Sequence, residues 1–127
     1  MKPKRILVID DEDGIREIIQ ICLETVAGWH VLTAASGSEG LELASTEQPD
    51  AILLDVMMPD MDGPTTFGQL QSDRATQHIP TILLTAKAKI SEQQQFINLG
   101  VTGVITKPFK ARDLVEQICN ILHWSDC

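Results

Sequence analysis

Short apolar runs and longer amphipathic stretches alternate along this chain. The first run, Ile6-Leu7-Val8-Ile9 within Arg5 to Ile9, breaks at Asp10-Asp11. A helical pattern follows, with Ile15, Ile18, Ile19, Cys22, Leu23 and Val26 at i, i+3, i+4, i+7, i+8 and i+11. Asp11, Glu12 and Asp13 stand at its N-terminal end, favourable against the helix dipole, and Gly28 closes it. His30 to Ala34 reads as a second strand. Ser36-Gly37-Ser38-Glu39 is a capping box that starts a helix running to about Thr46. After Pro49 comes Ala51-Ile52-Leu53-Leu54, apolar without alternation, as in a strand buried on both faces of a parallel sheet. It stops at Asp55, and the punctuation from Pro59 to Gly63 makes a loop over that carboxylate.

The alternation continues. A third helix is expected from Pro64 to about Ser72, with Phe67 and Leu70 on its inner face. Ile79 to Leu84 is a fourth strand ending at Thr85. Ser91 to Gln94 is a second capping box, starting a helix through Leu99 that Gly100 terminates. Gly103 to Thr106 is a brief fifth strand ending at Lys107-Pro108. The last helix carries Leu114, Val115, Ile118, Ile121 and Leu122 on one stripe, with a poor N-cap near Lys110. This (βα)5 pattern predicts an α/β fold: a doubly wound parallel five-stranded sheet with helices on both faces and right-handed crossovers. With no linker or repeat, residues 1–127 are expected to form a single domain without an effector domain.

Composition narrows the class. Aromatics make up only 4% of the chain, so the core must be built from Ile, Leu, Val and Ala. No apolar run approaches the ~18–20 residues that span a bilayer, and the basic start is followed by too short an apolar stretch for a signal peptide, so a cytoplasmic location without membrane contact is the default. A net charge of -8 disfavours direct binding to nucleic acid phosphates. Part of that excess suits a cation site, because clustered carboxylates are costly unless a metal offsets them. Cys22, Cys119 and Cys127 lie in no metal-ligand spacing. The first two read as small core hydrophobes and the third as a terminal thiol, all three suited to a reducing compartment.

The chemistry gathers at the strand ends. In a doubly wound sheet, Asp10-Asp11, Asp55, Thr85 and Lys107 would all face one edge. Carboxylates so close cannot all stay ionised without a counter-cation. All-oxygen ligands at a half-open site select Mg2+, with Mn2+ as the alternative, over zinc. Lys107 and Thr85 add a point charge and a hydrogen bond suited to an incoming phosphoryl oxygen. A carboxylate such as Asp55 can take a phosphoryl group as an aspartyl phosphate. The blander reading has Asp55 capping the next turn and Asp10 or Asp11 capping a helix, which leaves the second adjacent acid without a purpose. Asp60 and Asp62 read as turn and cap residues. His30, His78 and His123 do not cluster and read as surface or packing residues.

Val8-Ile9-Asp10-Asp11, the stretch from Asp55 to Gly63, Leu84-Thr85-Ala86 and Lys107-Pro108-Phe109 resemble the response-regulator receiver domain of two-component signalling, of the chemotaxis-regulator-like kind. The resemblance covers essentially the whole chain. It implies a flavodoxin-like sheet in the order 2-1-3-4-5. It also implies that Asp55 accepts the phosphoryl group in a Mg2+-dependent reaction. Asp11, Asp55 and the Met57 backbone carbonyl would ligate the metal, and Asp10 would orient a metal-bound water. Thr85 and Lys107 would engage the phosphoryl group, and a cis peptide would precede Pro108. The implied donor is a histidine kinase or phosphotransfer protein. The implied output is a protein target, or a second copy, meeting the face built by the fourth helix, fifth strand and fifth helix. In this family Tyr or Phe usually stands three residues before the lysine; here that position is Val104. Met57 and Lys87, flanking the site, would tune phosphoryl lifetime through water access.

Two other functions compete with this one. Asp11-Glu12-Asp13-Gly14 resembles the opening motif of haloacid-dehalogenase-type phosphatases, with Asp11 as nucleophile and Asp13 as acid/base, but that reading lacks a late acidic pair. A receiver-like docking module that is never phosphorylated would not need the full acidic, Thr and Lys set. The expected protein is therefore a switch that catalyses only its own phosphorylation and dephosphorylation.

Overall fold

The apolar runs become five parallel strands: β1 (Arg5–Ile9), β2 (His30–Ala34), β3 (Ala51–Asp55), β4 (Thr81–Thr85) and β5 (Gly103–Thr106). The structure is a computed structural model that describes residues 3–86 and 89–125. The strands line up in the order β2-β1-β3-β4-β5, with every neighbouring pair parallel. Five α-helices alternate with them: α1 (Asp13–Cys22), α2 (Gly37–Glu47), α3 (Gly63–Ser72), α4 (Ile90–Asn98) and α5 (Ala111–Leu122).

Two cores sandwich the sheet, and the two-residue period of β3 divides its side chains between them. Ala51 and Leu53 face a core shared with Ile19, Cys22 and Leu23 after β1 and with Leu114, Val115 and Ile118 of α5. Ile52 and Leu54 face the opposite core, built with Ala44, Phe67, Leu70 and Phe96. Every residue of β3 and β4 is buried, which explains their unbroken apolar runs. The helix α2 lies so close to β1 that a Cβ at Gly40 would collide with the Ile9 side chain.

Several local readings are refined. The helix predicted through Val26 is α-helical only to Cys22 and continues as a π-helical turn, Leu23–Ala27, which Gly28 ends at φ 71°. That change of register, and the narrow contact face ahead of it, leave Ile18 and Val26 exposed instead of on the inner stripe. The first capping box forms: the Ser36 hydroxyl accepts from the Glu39 N–H, and the Glu39 carboxylate accepts from Ala35 N–H. The second does not. Lys89 occupies the N-cap of α4 without a side-chain bond, so Ser91 falls inside the first turn. Asp62 caps α3 by accepting from Thr65 N–H, as a cap residue should. Lys110 precedes α5 without a side-chain cap, and the Lys107–Pro108 peptide is cis.

Cys22 is a buried free thiol that donates to the Ala111 carbonyl at 2.9 Å, and burial pushes its pKa up. Cys119 is also buried but is disulfide-bonded, which corrects the reading of it as a reduced thiol. The expectations for Lys87 and Cys127 concern positions outside the described residues. Trp124 docks edge-on against the buried Trp29, with ring centroids 5.2 Å apart, and Lys4 Nζ lies 4.8 Å from the Trp124 ring centre. Among the described residues, no helix is long and apolar enough to cross a membrane.

Candidate functional site at the strand ends

Strand register assembles the site. Ile9 pairs with Leu54, so the next residues, Asp10 and Asp55, emerge side by side. Asp55 pairs with Leu84, so Thr85 follows beside it, and Thr85 pairs with Thr106, the residue before Lys107. The loop after β3 is pulled back over this edge by the Gly63 N–H, which donates to the Val56 carbonyl at 2.9 Å. A side chain at Gly63 could not be accommodated there: its Cβ would lie 2.6 Å from the Asp55 carbonyl oxygen and 2.9 Å from Val56 Cα.

Carboxylate oxygens of Asp10, Asp11 and Asp55 all lie within 4.8 Å of one another. Asp10 is fully buried and Asp55 is 3% exposed, whereas Asp11 faces solvent. Lys107 Nζ bridges the two buried acids, donating to Asp55 Oδ1 at 2.9 Å and to Asp10 Oδ2 at 3.4 Å. The Asp10 Oδ1 atom accepts from the Glu12 N–H at 2.9 Å. Thr85 is buried at the end of β4, and its carbonyl accepts from the Lys107 N–H at 2.8 Å. Met57 is the outlier of the group, its side chain pointing out and 68% exposed.

The electrostatics are those of an acid cluster with one cation too few. Burial pushes the Asp55 carboxyl above its ordinary value; the hydrogen bond and charge of Lys107 pull it back, and the charges of Asp10 and Asp11 push it further up. Burial alone would lower Lys107, but its hydrogen bond to Asp55 and the charges of Asp55 and Asp10 outweigh that and hold it above the usual lysine value. Lys107 is therefore fully charged at neutral pH, and burial is what keeps the Asp55 carboxyl raised against its pull. Three carboxylates at one half-open edge are a donor set that a hard divalent cation fits.

Two features of the site escaped the sequence. Arg16 donates from Nη1 to the Asp10 carbonyl at 2.7 Å and also holds the Asp13 carboxylate. Its only signal was a basic residue one turn into an acidic helix start. An apolar cleft of about 330 Å³ opens beside the site, lined by Ile15, Ile18, Ala86, Lys107, Pro108 and Phe109.

Residues 6–119 match the family model described as the response regulator receiver domain. The chain belongs to this family. Receivers of this kind are phosphorylatable switches of two-component signalling that interact with histidine kinases, bind Mg2+ in the active site and are not enzymes in the ordinary sense. One curated relative is the DNA-binding dual master transcriptional regulator RpaA of Synechocystis, 38% identical over 96% of this chain and 50% of that protein. The chain spans about half the length of the curated relatives it matches. Among solved structures, a response regulator of Chloroflexus aurantiacus superposes with a TM-score of 0.87 at 34% identity, covering 96% of this chain and 99% of that one. The receiver domain of the sensor histidine kinase PA1611 of Pseudomonas aeruginosa has a magnesium ion coordinated in its active-site cleft. It superposes with a TM-score of 0.84 at 25% identity, over 95% of this chain and 98% of that one. The match over residues 6–119 is to the receiver family, not to a phosphatase.

Proposed function

We propose that residues 1–127 act as one receiver unit in which Asp55 is the phosphoacceptor. The supporting observation is that a single buried carboxylate stands at the end of the central strand, touched by Lys107 and clustered with Asp10 and Asp11. Asp11, Asp55 and the Met57 backbone carbonyl would hold Mg2+, and Asp10 would orient a bound water. When bound, the ion offsets the carboxylates' charge and that of the phosphoryl oxygens.

The chain's own residues do the rest. Asp55 is held by the end of β3 with an oxygen presented as nucleophile. A bond forms between that oxygen and phosphorus as the phosphorus–nitrogen bond of a phosphohistidine breaks, and the donor imidazole keeps the electron pair. Lys107 already lies at Asp55 and follows the new negative charge onto a phosphoryl oxygen. Thr85 supplies a hydroxyl from the neighbouring strand end. The apolar cleft beside Lys107 supports the approach of a kinase or phosphotransfer protein from that side. Output would leave through α4, β5 and α5, which adjoin Thr85 and Lys107. Ile90, Ile97 and Leu99 make the α4 region of that face less polar than its Glu92 to Gln95 run indicates. With Val104 in β5, the switch works through loop and helix shifts more than through a turning ring.

Incubation with acetyl phosphate and Mg2+, followed by intact-mass measurement, tests the assignment. One added phosphoryl group is expected on the wild type and none on Asp55→Asn. Labelling that persists in the variant would move the acceptor elsewhere. Labelling of neither would favour a docking module.

A further inference from the structure

The loop that carries Asp10 and Asp11 enters a helix that, like α4 and α5, has no side-chain cap. The helices α2 and α3 are capped by the side chains of Ser36 and Asp62, whereas Glu12, the N-cap of α1, makes no side-chain bond. Arg16 tethers this loop in a different way, as a donor from inside the helix. Its guanidinium reaches back one turn and spans two points, the Asp10 carbonyl at 2.7 Å and the Asp13 carboxylate. The Arg16 side chain is only 18% exposed and the Asp13 side chain 90%, so the carbonyl contact is the sheltered one and the ion pair is screened.

With that contact, Asp10 is held at all its polar atoms. Its N–H donates to the Ala34 carbonyl, its carbonyl accepts from Arg16, and its carboxylate oxygens accept from Glu12 N–H and Lys107. Lys107 is the partner that a phosphoryl group on Asp55 would draw away. Arg16 is not, so the loop keeps its place through the reaction.

We propose that Arg16 is a positioning residue: by bridging the Asp10 carbonyl and Asp13, it fixes the loop so that the Asp10 and Asp11 carboxylates converge with Asp55 on one divalent cation. This rests on the reading of the site given above. Arg16 touches neither the cation nor the phosphoryl group; it acts through Asp10. Outer partners of metal ligands typically change affinity 10–100-fold when removed. Because Asp11 faces solvent, where water can stand in for part of the lost positioning, the lower end of that range applies.

The experiment compares wild type, Arg16→Ala and Arg16→Lys by calorimetric Mg2+ titration and by acetyl phosphate labelling at low and saturating Mg2+. Alanine is a good helix former, so α1 should persist. Arg16→Ala should bind Mg2+ about tenfold more weakly and label slowly at low Mg2+, with the rate recovering when Mg2+ saturates. Arg16→Lys keeps the charge but not the planar fork and should recover only part of the affinity. A purely structural arginine would lower the melting temperature without moving the Mg2+ affinity. An affinity for Arg16→Ala equal to the wild type's would overturn the proposal, and full recovery in Arg16→Lys would overturn the two-point bridge. If Arg16→Ala does not fold, Arg16→Gln gives the same comparison. Absence of Mg2+ binding by the wild type itself would instead overturn the reading of the site.

Discussion

Replacing Asp55 by Asn should stabilise the metal-free protein, although it removes one partner of a short ion pair. At an effective dielectric constant of about 20, like charges 4.8 Å apart, the widest separation in the cluster, repel by about 3.5 kcal/mol. Asp10 exerts that in full, and the solvent-exposed Asp11 about half of it. Attraction to Lys107 at 2.9 Å is worth about 6 kcal/mol on the same scale, so the charge terms nearly cancel. What remains is the cost of burying an ionised group, several kcal/mol, of which a buried amide retains a part. The amide carbonyl can still accept from Lys107. The net gain is about 1–2 kcal/mol, or a rise in Tm of roughly 3–8 °C for a chain of this size. Thermal melts in EDTA measure it directly. Added Mg2+ should narrow the gap, because it relieves the wild type more than the variant.

Acid should narrow the gap as well. Burial and the neighbouring acids raise the folded-state pKa of Asp55 above its ordinary 3.8, so the folded protein binds that proton more tightly than the unfolded chain. The penalty on the wild type is fully present above the raised value and fades as pH falls through it toward 3.8. A variant less stable than wild type in EDTA, or a difference indifferent to both Mg2+ and pH, would refute this balance.

Two further substitutions probe the loop over Asp55 and the output face. Gly63→Ala pushes a methyl group against the backbone of Asp55 and Val56, neither of which can rotate away, and should cost about 1–3 kcal/mol in urea melts while slowing phosphorylation; an unchanged melt would mean the loop yields freely. Val104→Tyr restores a ring in β5 and should enlarge the amide shifts that beryllofluoride induces across α4, β5 and α5 by NMR. Shifts clustered around α1 instead would place the output surface elsewhere.

Most of the fold was legible because a parallel sheet buried on both faces writes itself as apolar runs, and those of β1, β3, β4 and β5 each end on a polar residue. That rule located Asp10, Asp55, Thr85 and Lys107 before their neighbours were known. Strand order was beyond it: nothing within Ile6 to Ile9 says that β1 lies between β2 and β3. The stripe on the first helix gave the direction of the buried face but not its width. Ile19 is buried while Ile18 and Ile21 are exposed, and the widened turn after Cys22 carries Val26 off the stripe. The capping box at Ser91 failed because the pattern fits any short polar run, and two residues of shift leave the hydroxyl with nothing to cap. Arg16 stayed hidden because its partner is a main-chain carbonyl, which no side-chain motif encodes.

The edge-on contact between Trp29 and Trp124 decides what light can report about this protein. Trp29 immediately precedes β2, Lys4 precedes β1, and Trp124 follows α5, so the pair sits at the edge of the sheet opposite the acidic cluster. A strand's length, roughly 16 Å, separates the two edges. Intrinsic emission, which comes from these two rings, therefore follows the docking of the chain's two ends and the integrity of the core beneath them. It is a gauge of folding, blind by placement to whatever occupies the other edge, and cation or phosphoryl binding must be read by heat, mass or resonance.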